Sequence, residues 1–436
     1  MNESARNIKS SSIEIYEPKK RQEKKIIITF KKYIIFIFFL LLGFLNHLGN
    51  YLIMTSSQQF ATKLDNESLI ACYPLALIIF SSFVKVINSK YLINLSFYKR
   101  IMNITIQMFI GFISFFFILD YLINKTGKNM AFWLTLIPTT IVGMAESFGD
   151  VTIMAYAGTF KTNYISSWNI GASLAGICGS FLSLLFKKLN TNLKLVYLFL
   201  SPISFLYFFT FYLINKFGKN EKKNINGKNY HKIHEEKISK VFNNNNNDKN
   251  RDKKNLGKKN FVEGVKLIKK YLLNLSFLIF MQYTICYCFC ERTNKYKFIN
   301  SKGSIFEKIQ YETFLLFFEF GVVLSNSLLL LIRHIQYLEI FTFLQIINFI
   351  LWFLESLLGT VKNQWICYLH LFFVGFCGGG GNIGFFDRMT NSKKIPPKFQ
   401  ELCINICEVF MDFGILISSI MSIIFDNTFM KHIDKK

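Results

Sequence analysis

Eleven stretches of this chain are each long and apolar enough to cross a lipid bilayer as a helix. A transmembrane helix needs about 20 mostly apolar residues, and such runs recur from Tyr33 almost to the end of the chain. Hydrophobic residues make up 51% of the sequence, and phenylalanine alone occurs 50 times. No soluble domain hides that much apolar surface in a single core. The sequence therefore predicts an all-α polytopic membrane protein.

The apolar runs fall into two groups, which are separated by one long hydrophilic linker. Their approximate positions are 33–55, 68–88, 101–122, 130–158, 166–186 and 193–215 before the linker, and 264–289, 311–333, 337–358, 364–386 and 401–427 after it. Six helices, a long linker and five more helices are the layout of a transporter built from two bundles. Eleven spans place the C-terminus on the lumenal side of the membrane, and a twelfth or re-entrant segment would reverse that.

The polar segments divide the chain into five predicted parts. These are a disordered basic cytoplasmic tail at 1–31, a six-helix bundle at 32–215, a disordered Lys/Asn-rich linker at 216–260, a C-terminal helical bundle at 261–429 and a short tail at 430–436. The linker is too polar to bury a core. Because cytoplasmic loops are enriched in Lys and Arg, the tail, the linker and the basic loops near 90–100 and 388–398 are predicted to be cytoplasmic.

The formal net charge of +24 does not indicate a nucleic-acid partner. The lysines lie at helix ends and in the linker, and they do not alternate with aromatic residues as on a nucleic-acid-binding surface. The nine cysteines fall mainly inside apolar runs, where they behave as small hydrophobic residues. We therefore expect neither a nucleic-acid surface nor a disulfide framework.

Two patterns resemble cofactor sites, and helix packing explains both better. Residues 379–384 match G-x-G-x-x-G, but the dinucleotide motif follows a strand, and these glycines interrupt an apolar run. Close contact between helices through small residues is the better explanation. Cys286, Cys288 and Cys290 have no histidine nearby that would complete a zinc site. Because no nucleophile and base constellation is visible either, we expect no cofactor, no metal and no enzymatic activity.

Polar residues inside the spans occur as pairs on shared helix faces. Ionisable groups in hydrocarbon are costly, and residues four or seven apart face the same way on a helix. The pairs are Asn46 with Asn50, Glu146 with Asp150, Glu319 with Asn326, and Glu408 with Asp412. Two carboxylates on one face in a low dielectric resist being ionised together. Such a pair is a natural proton-binding site or the partner of a basic residue on another helix, unless it lies near a span end and is simply hydrated.

A distinctive run of residues crosses the fourth and fifth spans. It comprises Gly149-Asp150-Val151-Thr152, Ile165-Ser166-Ser167-Trp168, Gly171 and Ala175-Gly176. This run resembles the battenin family of lysosomal and vacuolar membrane proteins, whose pattern G-x-G-E-V-T and then I-S-W-W-S-S-G aligns without a gap. Asp150 takes the place of the family Glu, Trp168 that of the second Trp, and Asn169 that of the following Ser. Further matches in the same order are Gly43, Asn46, Tyr51, Met54, Tyr311, Gly321-Val322, Ser325-Asn326-Ser327, Gly375, Gly378-Gly379, Glu401 and Gly414.

The chain departs from the battenin pattern at three charged positions. Asn326 replaces the arginine of the family's S-R-S, Cys286 replaces an acidic residue of the seventh helix, and Val374 replaces the glutamate of E-G-L-L-G-G. A charged headgroup or a proton that those residues handle must be handled differently in this chain. Lys85 and Lys161 lie at span ends, and they are the cations whose long side chains could compensate for the missing arginine.

The resemblance implies a major-facilitator-like fold in the membrane of a lysosome, vacuole or digestive-vacuole-like compartment. It implies efflux of small polar metabolites such as glycerophosphodiesters, together with a role in lumenal pH and amino-acid homeostasis. The implied partners are the lipid bilayer, a small polar or zwitterionic metabolite, and protons. The rival hypothesis is a non-transporting scaffold that regulates endolysosomal trafficking, and that recruits cytoplasmic trafficking partners through the tail and linker.

The candidate site combines amides, carboxylates and one indole from both halves of the chain. Amides would hold a hydroxylated substrate, and carboxylates would bind protons or an amine. The candidate substrate-binding residues are Asn46, Asn50, Asp150, Trp168, Asn169, Glu319, Ser325 and Asn326. The candidate proton-coupling residues are Glu146, Asp150, Glu408 and Asp412.

Overall fold

The computed structural model of the chain is an all-helical fold. It describes residues 3–90, 95–160, 164–189, 191–219, 248–294, 310–332, 334–335, 337–391, 395 and 397–429. Within these ranges, ten helices are long and apolar enough to cross a membrane. One more helix, Gln310–Ser327, occupies the position of the eighth predicted span. The predicted architecture of about eleven membrane helices is therefore confirmed.

The helices form two halves, one on each side of the linker. The first half contains α1 (Glu3–Lys63), α2 (Cys72–Ile78), α3 (Ser81–Lys90), α4 (Phe97–Phe117), α5 (Ile123–Thr126), α6 (Lys128–Ala157), α7 (Ile165–Lys188) and α8 (Leu193–Phe217). The second half contains α9 (Asp248–Thr284), α10 (Cys290–Thr293), α11 (Gln310–Ser327), α12 (Leu329–Ile332), α13 (Glu339–Leu358), α14 (Gln364–Asn391) and α15 (Pro397–Ile424). Turns of π-helix continue α4, α9 and α15 at Ile118–Leu122, Ile285–Phe289 and Phe425–Phe429.

Helical backbone extends into two segments that the sequence predicts as disordered. Because α1 begins at Glu3 and α9 begins at Asp248, residues 3–31 and 248–260 are helical in the structure. Lys and Glu are good helix formers, so a membrane helix can continue into a charged flank that has no core of its own. The predicted linker also covers residues 220–247, which lie outside the described residues, as does the predicted tail at 430–436. The five-part division of the chain stays a prediction.

The two halves use the same pattern of helix pairing. In the first half, the first span packs along the fifth (α1 on α7) and the second packs on the fourth (α2 and α3 on α6). In the second half, the seventh span packs along the eleventh (α9 on α15) and the eighth packs along the tenth (α11 on α14). The corresponding contacts indicate that the two halves are structural repeats of each other, an arrangement that many transporter folds have.

Glycines permit the closest of these helix contacts. A β-carbon on Gly43 of α1 would collide with the backbone carbonyl of Trp168, and one on Gly171 of α7 would collide with that of Leu40. In the second half, a β-carbon on Gly375 of α14 would meet the carbonyl of Phe318. Small residues let membrane helices approach backbone to backbone, and here they bring functional side chains of neighbouring helices within hydrogen-bonding reach.

The two halves meet along two lines of contact. Helix α7 packs against α11, while α2 and α3 pack against α15. The space between these contacts is bordered by α1 and α6 from the first half and by α9 and α14 from the second. The fold therefore leaves a central cavity that both halves line.

Candidate functional site

A cavity of about 290 Å³ lies between the two halves of the molecule. Its lining runs from Tyr51 and Met54 at one end to Ile165 and Asp387 at the other. The second end is the one at which α6 passes into α7 and α14 passes into α15. In the predicted topology this is the cytoplasmic end of the bundle.

His47 of α1 lies between two carboxylates of α6. Its Nδ1 is 2.5 Å from Oε1 of Glu146, and its Nε2 is 3.1 Å from Oδ1 of Asp150. The acids are four residues apart, which places both on the same face of α6. An imidazole that donates hydrogen bonds through both nitrogens is an imidazolium. When both of its nitrogens are protonated, the ring donates to both acids and supplies one positive charge between two negative ones.

Two amides of α1 complete the hydrogen bonds of these acids. Asn46 donates from Nδ2 to Oδ1 of Asp150 at 2.9 Å and to the backbone carbonyl of Glu146 at 3.1 Å. Asn50 donates from Nδ2 to Oε2 of Glu146. We call these five residues, Asn46, His47, Asn50, Glu146 and Asp150, the His47 cluster. It ties α1 to α6 on the cavity side of the first half.

A second charged cluster joins the two halves. Nζ of Lys85 in α3 is 3.2 Å from Oε2 of Glu408 and 2.9 Å from Oδ1 of Asp412, both in α15. Ser81 donates from Oγ to Oδ2 of Asp412 at 2.7 Å. Lys85 is 3% exposed, and a buried cation is tolerated only when anions and hydrogen bonds surround it. The sequence leaves three alternatives for Glu408 and Asp412, which are a proton-binding site, an ion pair with a basic residue of another helix, and hydration near a span end. The structure has the ion pair.

Glu319 of α11 enters the cavity from the second half. It is 4% exposed, and its Oε2 has no hydrogen-bond partner among the described residues. The carboxylate packs against Gly176 of α7, where a β-carbon would collide with Oε2. His47 acts on Glu319 electrostatically from the first half. The acid thus stands apart from both charged clusters.

The other predicted site residues divide between the cavity wall and the helix interior. Trp168 meets the His47 ring nearly edge-on, with ring centroids 5.7 Å apart. Asn169 lines the cavity, as does Asn326, which donates from Nδ2 to Oγ of Ser173 at 2.6 Å. Ser325 instead donates to the carbonyl of Val322 in its own helix and does not line the cavity. Asn46 also lies behind the wall, where it supports Asp150.

His47 is absent from the site that the sequence predicts, and the sequence does not identify Lys85 as the partner of Glu408 and Asp412. His47 is an ionisable residue inside a transmembrane run, between two predicted amides, and the rarity of such residues is the signal that identifies it. Lys85 is predicted as a cation extending toward the membrane interface. The structure buries it between Glu408 and Asp412 instead. Lys161, the other predicted cation, lies outside the described residues.

The three alternating cysteines of the seventh span contribute to helix packing. Cys286, Cys288 and Cys290 are buried in an apolar cluster with Tyr311 and Phe314, where thiols pack as small hydrophobic groups. Across the described ranges, no group of three or more His, Cys, Asp or Glu side chains is placed to hold a metal ion. The charged residues that line the cavity are those of the two clusters, together with Glu319 and Asp387.

The fold is similar to that of solved transporters. The D-xylose–proton symporter superposes with a TM-score of 0.61 at 12% sequence identity, covering 94% of this chain and 92% of the symporter. A bacterial homologue of the human lysosomal transporter Spinster, in an inward-facing and unoccupied conformation, gives a TM-score of 0.57 at 11% identity. That match covers 91% of this chain and 81% of the homologue. At such identities the similarity concerns the fold, and it confirms the major-facilitator-like arrangement.

The sequence is similar to curated battenins from three organisms. Battenin from Dictyostelium discoideum is 22% identical over 324 residues, which cover 69% of this chain and 74% of the relative. Protein BTN1 from Kluyveromyces lactis is 23% identical over 408 residues, covering 91% and 95%. Protein BTN1 from Saccharomyces cerevisiae is 21% identical over 422 residues, covering 92% and 96%. The family model described as CLN3 protein matches residues 37–432, so this multi-pass membrane chain belongs to the CLN3 protein family, the battenins.

Proposed function

We propose that this chain is a secondary transporter, which moves a small polar metabolite across the membrane of a lysosome- or vacuole-type acidic compartment. The observation that carries the proposal is the charged cavity between the two halves, to which both halves contribute acids. In transporters built from repeats, the halves rock about a central site of this kind. Intramembrane acids are expensive, and a protein that only recruits partners at its cytoplasmic surface has no use for them.

The chemistry of the cavity wall favours a substrate with a positive group. The acids Glu146, Asp150, Glu319, Asp387, Glu408 and Asp412 outnumber the cations His47 and Lys85. Aromatic rings of Trp168 and Tyr51 line the same space, and aromatic faces attract alkylammonium groups. The amides of Asn169 and Asn326 suit hydroxyl or phosphate oxygens. A glycerophosphodiester with an amine or choline headgroup combines these features, and a basic amino acid shares the positive group.

Protons are the proposed coupling ion. Chains of Asp, Glu and His inside membrane proteins serve as proton relays, and an acidic lumen would supply the gradient. Each of the four predicted proton-coupling acids has a basic partner in the structure, since Glu146 and Asp150 contact His47 and Glu408 and Asp412 contact Lys85. The two clusters would therefore hold the charge balance of the cavity, in which a proton or a substrate cation exchanges.

Metabolomics of isolated organelles, with and without the chain, tests this function against the scaffold hypothesis. Cells that lack the chain would receive the wild type, Asp150→Asn, or a deletion of residues 220–247. We expect small polar phosphodiesters to accumulate in organelles without the chain. The wild type and the linker deletion should clear them, whereas Asp150→Asn should not. Clearance by Asp150→Asn together with failure of the linker deletion would support the scaffold and overturn the transporter.

A further inference from the structure

We propose that Glu319 is the residue that carries the coupled proton, loading it while the carboxyl packs against Gly176 and releasing it into the cavity opposite His47. The inference rests on the proposed transport function and assigns one step of it. It differs from the prediction from sequence, in which Glu319 binds substrate and the acids of the other pairs carry the proton.

The first observation is that Glu146 and Asp150, the acids of the His47 cluster, already have partners that balance their charge. His47 contacts Glu146 and Asp150 through its two nitrogens, and Asn46 and Asn50 donate further hydrogen bonds to them. A carboxylate that is held by a cation and by amide donors is stabilised in its charged form. Removing or adding a proton there works against existing bonds, so these acids are poorly suited to frequent exchange.

The same holds for Glu408 and Asp412, the two acids that pair with Lys85. Lys85 contacts both Glu408 and Asp412, and Ser81 and Ser82 donate hydroxyl hydrogen bonds to Oδ2 of Asp412 at 2.7 and 3.3 Å. Protonating either acid would leave the buried ammonium of Lys85 short of its counter-charges, which is strongly unfavourable. This cluster therefore serves better as a fixed joint between α3 and α15.

Glu319 has the opposite surroundings. It is 4% exposed, and its Oε2 accepts no hydrogen bond from any described residue. Burying an unpaired carboxylate is far more costly than burying the neutral acid. The structure also provides a fitted space for this carboxyl, because Gly176 has no side chain and any β-carbon there would collide with Oε2. A protonated Glu319 fits that space without an uncompensated charge.

The groups around Glu319 include a cation that can stabilise the negative charge left on the carboxylate after the proton leaves. The titratable groups that act on it or share its cavity are His47, Tyr51, Lys85, Glu146, Asp150, Tyr283, Cys286, Asp387, Glu408 and Asp412. His47 and Lys85 carry a positive charge when they are protonated, and His47 is the one that acts electrostatically on Glu319. Release of the proton to cavity water leaves a carboxylate in the second half that is attracted to an imidazolium in the first half. Charge on Glu319 would thus draw the halves together across the cavity, and protonation would release them.

The test separates exchange of substrate from net transport. Purified protein in liposomes would be assayed with radiolabelled glycerophosphocholine, once for exchange against internal unlabelled compound and once for accumulation driven by a pH gradient. Glu319→Gln keeps the size of the side chain and stays neutral, like the protonated acid. We expect this variant to retain exchange and to lose gradient-driven accumulation. Glu339→Gln is the matched control, because Glu339 pairs with Lys270 at an exposed site, and it should behave as the wild type.

Each outcome decides a different claim. If the wild type neither exchanges nor accumulates glycerophosphocholine or a basic amino acid, the proposed function fails. If the wild type accumulates it and Glu319→Gln accumulates it equally, the assignment of the proton to Glu319 is overturned. Loss of both activities in a folded Glu319→Gln protein would also overturn it, in favour of a substrate-binding role.

A second variant keeps the inference testable if Glu319→Gln does not fold. The three atoms nearest to a β-carbon at Gly176 all belong to the flexible Glu319 side chain, so Gly176→Ala should displace that side chain first. We expect this variant to shift the pH at which gradient-driven uptake is half-maximal, with exchange retained. An unchanged pH profile in the folded Gly176→Ala protein would overturn the assignment.

Discussion

His47 of α1 contacts Asp150 of α6 through Nε2 at 3.1 Å, while its other nitrogen contacts Glu146 at 2.5 Å. The contact joins the first and fourth spans at the cavity wall, and it gives two buried acids one cation to share. The same arrangement occurs at the interface of the two halves, where Lys85 contacts both Glu408 and Asp412. Each cation is shared by two acids one helical turn apart, so the loss of either cation leaves two negative charges facing each other.

Removal of the imidazole should destabilise the first half of the molecule. In His47→Gln the carboxylates of Glu146 and Asp150 lose their cation, and an uncompensated buried charge costs about 3–5 kcal/mol. We expect a clear fall in the thermal unfolding temperature in detergent. The double variant His47→Gln with Asp150→Asn should recover part of that fall, because one of the two negative charges is gone. Equal unfolding temperatures for the wild type and His47→Gln would contradict the ion-pair assignment.

Lys85 should matter far more than a lysine that pairs at an exposed site. Lys85→Met leaves Glu408 and Asp412 unpaired between the halves, with an expected loss of about 3–5 kcal/mol. Lys270→Met removes the exposed pair with Glu339, where screening by solvent leaves little effect on stability. The measurement is the folded yield and thermal unfolding of the two variants in the same detergent. Similar losses for both would show that Lys85 is not the joint between the halves.

Contacts of Glu312 join the two halves at the end of the bundle where α1 and α7 finish and α11 begins. Nζ of Lys187 in α7 is 2.9 Å from both carboxylate oxygens of Glu312 in α11, and Gln59 donates to Oε1 at 3.3 Å. Glu312→Gln should weaken this contact between the halves and open that end more often. The reporter is Ser183→Cys, whose position neighbours Gln59, labelled with a membrane-impermeant maleimide. Labelling should be faster with Glu312→Gln than without it, and identical rates would contradict this role of Glu312.

Close packing of α1 on α7 should tolerate no added carbon at Gly171. A β-carbon there would collide with the carbonyl of Leu40, and overpacking of this kind costs about 1–3 kcal/mol. Gly158→Ala is the comparison variant, because a β-carbon at Gly158 would lie 3.3 Å from the Ala155 carbonyl oxygen, a tight contact but a far milder one. We expect Gly171→Ala to lower the unfolding temperature clearly more than Gly158→Ala does. A harmless Gly171→Ala would show that the helices are not in backbone contact.

Hydropathy and helical periodicity predict much of this fold because both are local properties. The spans, the division into two halves and the shared faces of Glu146 with Asp150 and of Glu408 with Asp412 follow from spacing alone. Which cation meets which acid depends on the register of one helix against another, and a single sequence carries no direct record of that register. Lys85 illustrates the limit, since its position near a span end predicts exposure while contacts with α15 bury it. Ser325 shows the converse, because its place in a family-like motif predicts a cavity residue and its hydroxyl bonds within its own helix.

The central claim is that the cavity between the halves is a proton-coupled transport path, and uptake by the purified protein tests it most directly. Liposomes that contain the protein would be given radiolabelled glycerophosphocholine, or a labelled basic amino acid, with a pH gradient across the membrane. The account predicts accumulation above the external concentration, which a protonophore abolishes and Asp150→Asn prevents. Uptake of both compounds no greater than in protein-free liposomes, by protein shown to be folded, would contradict it.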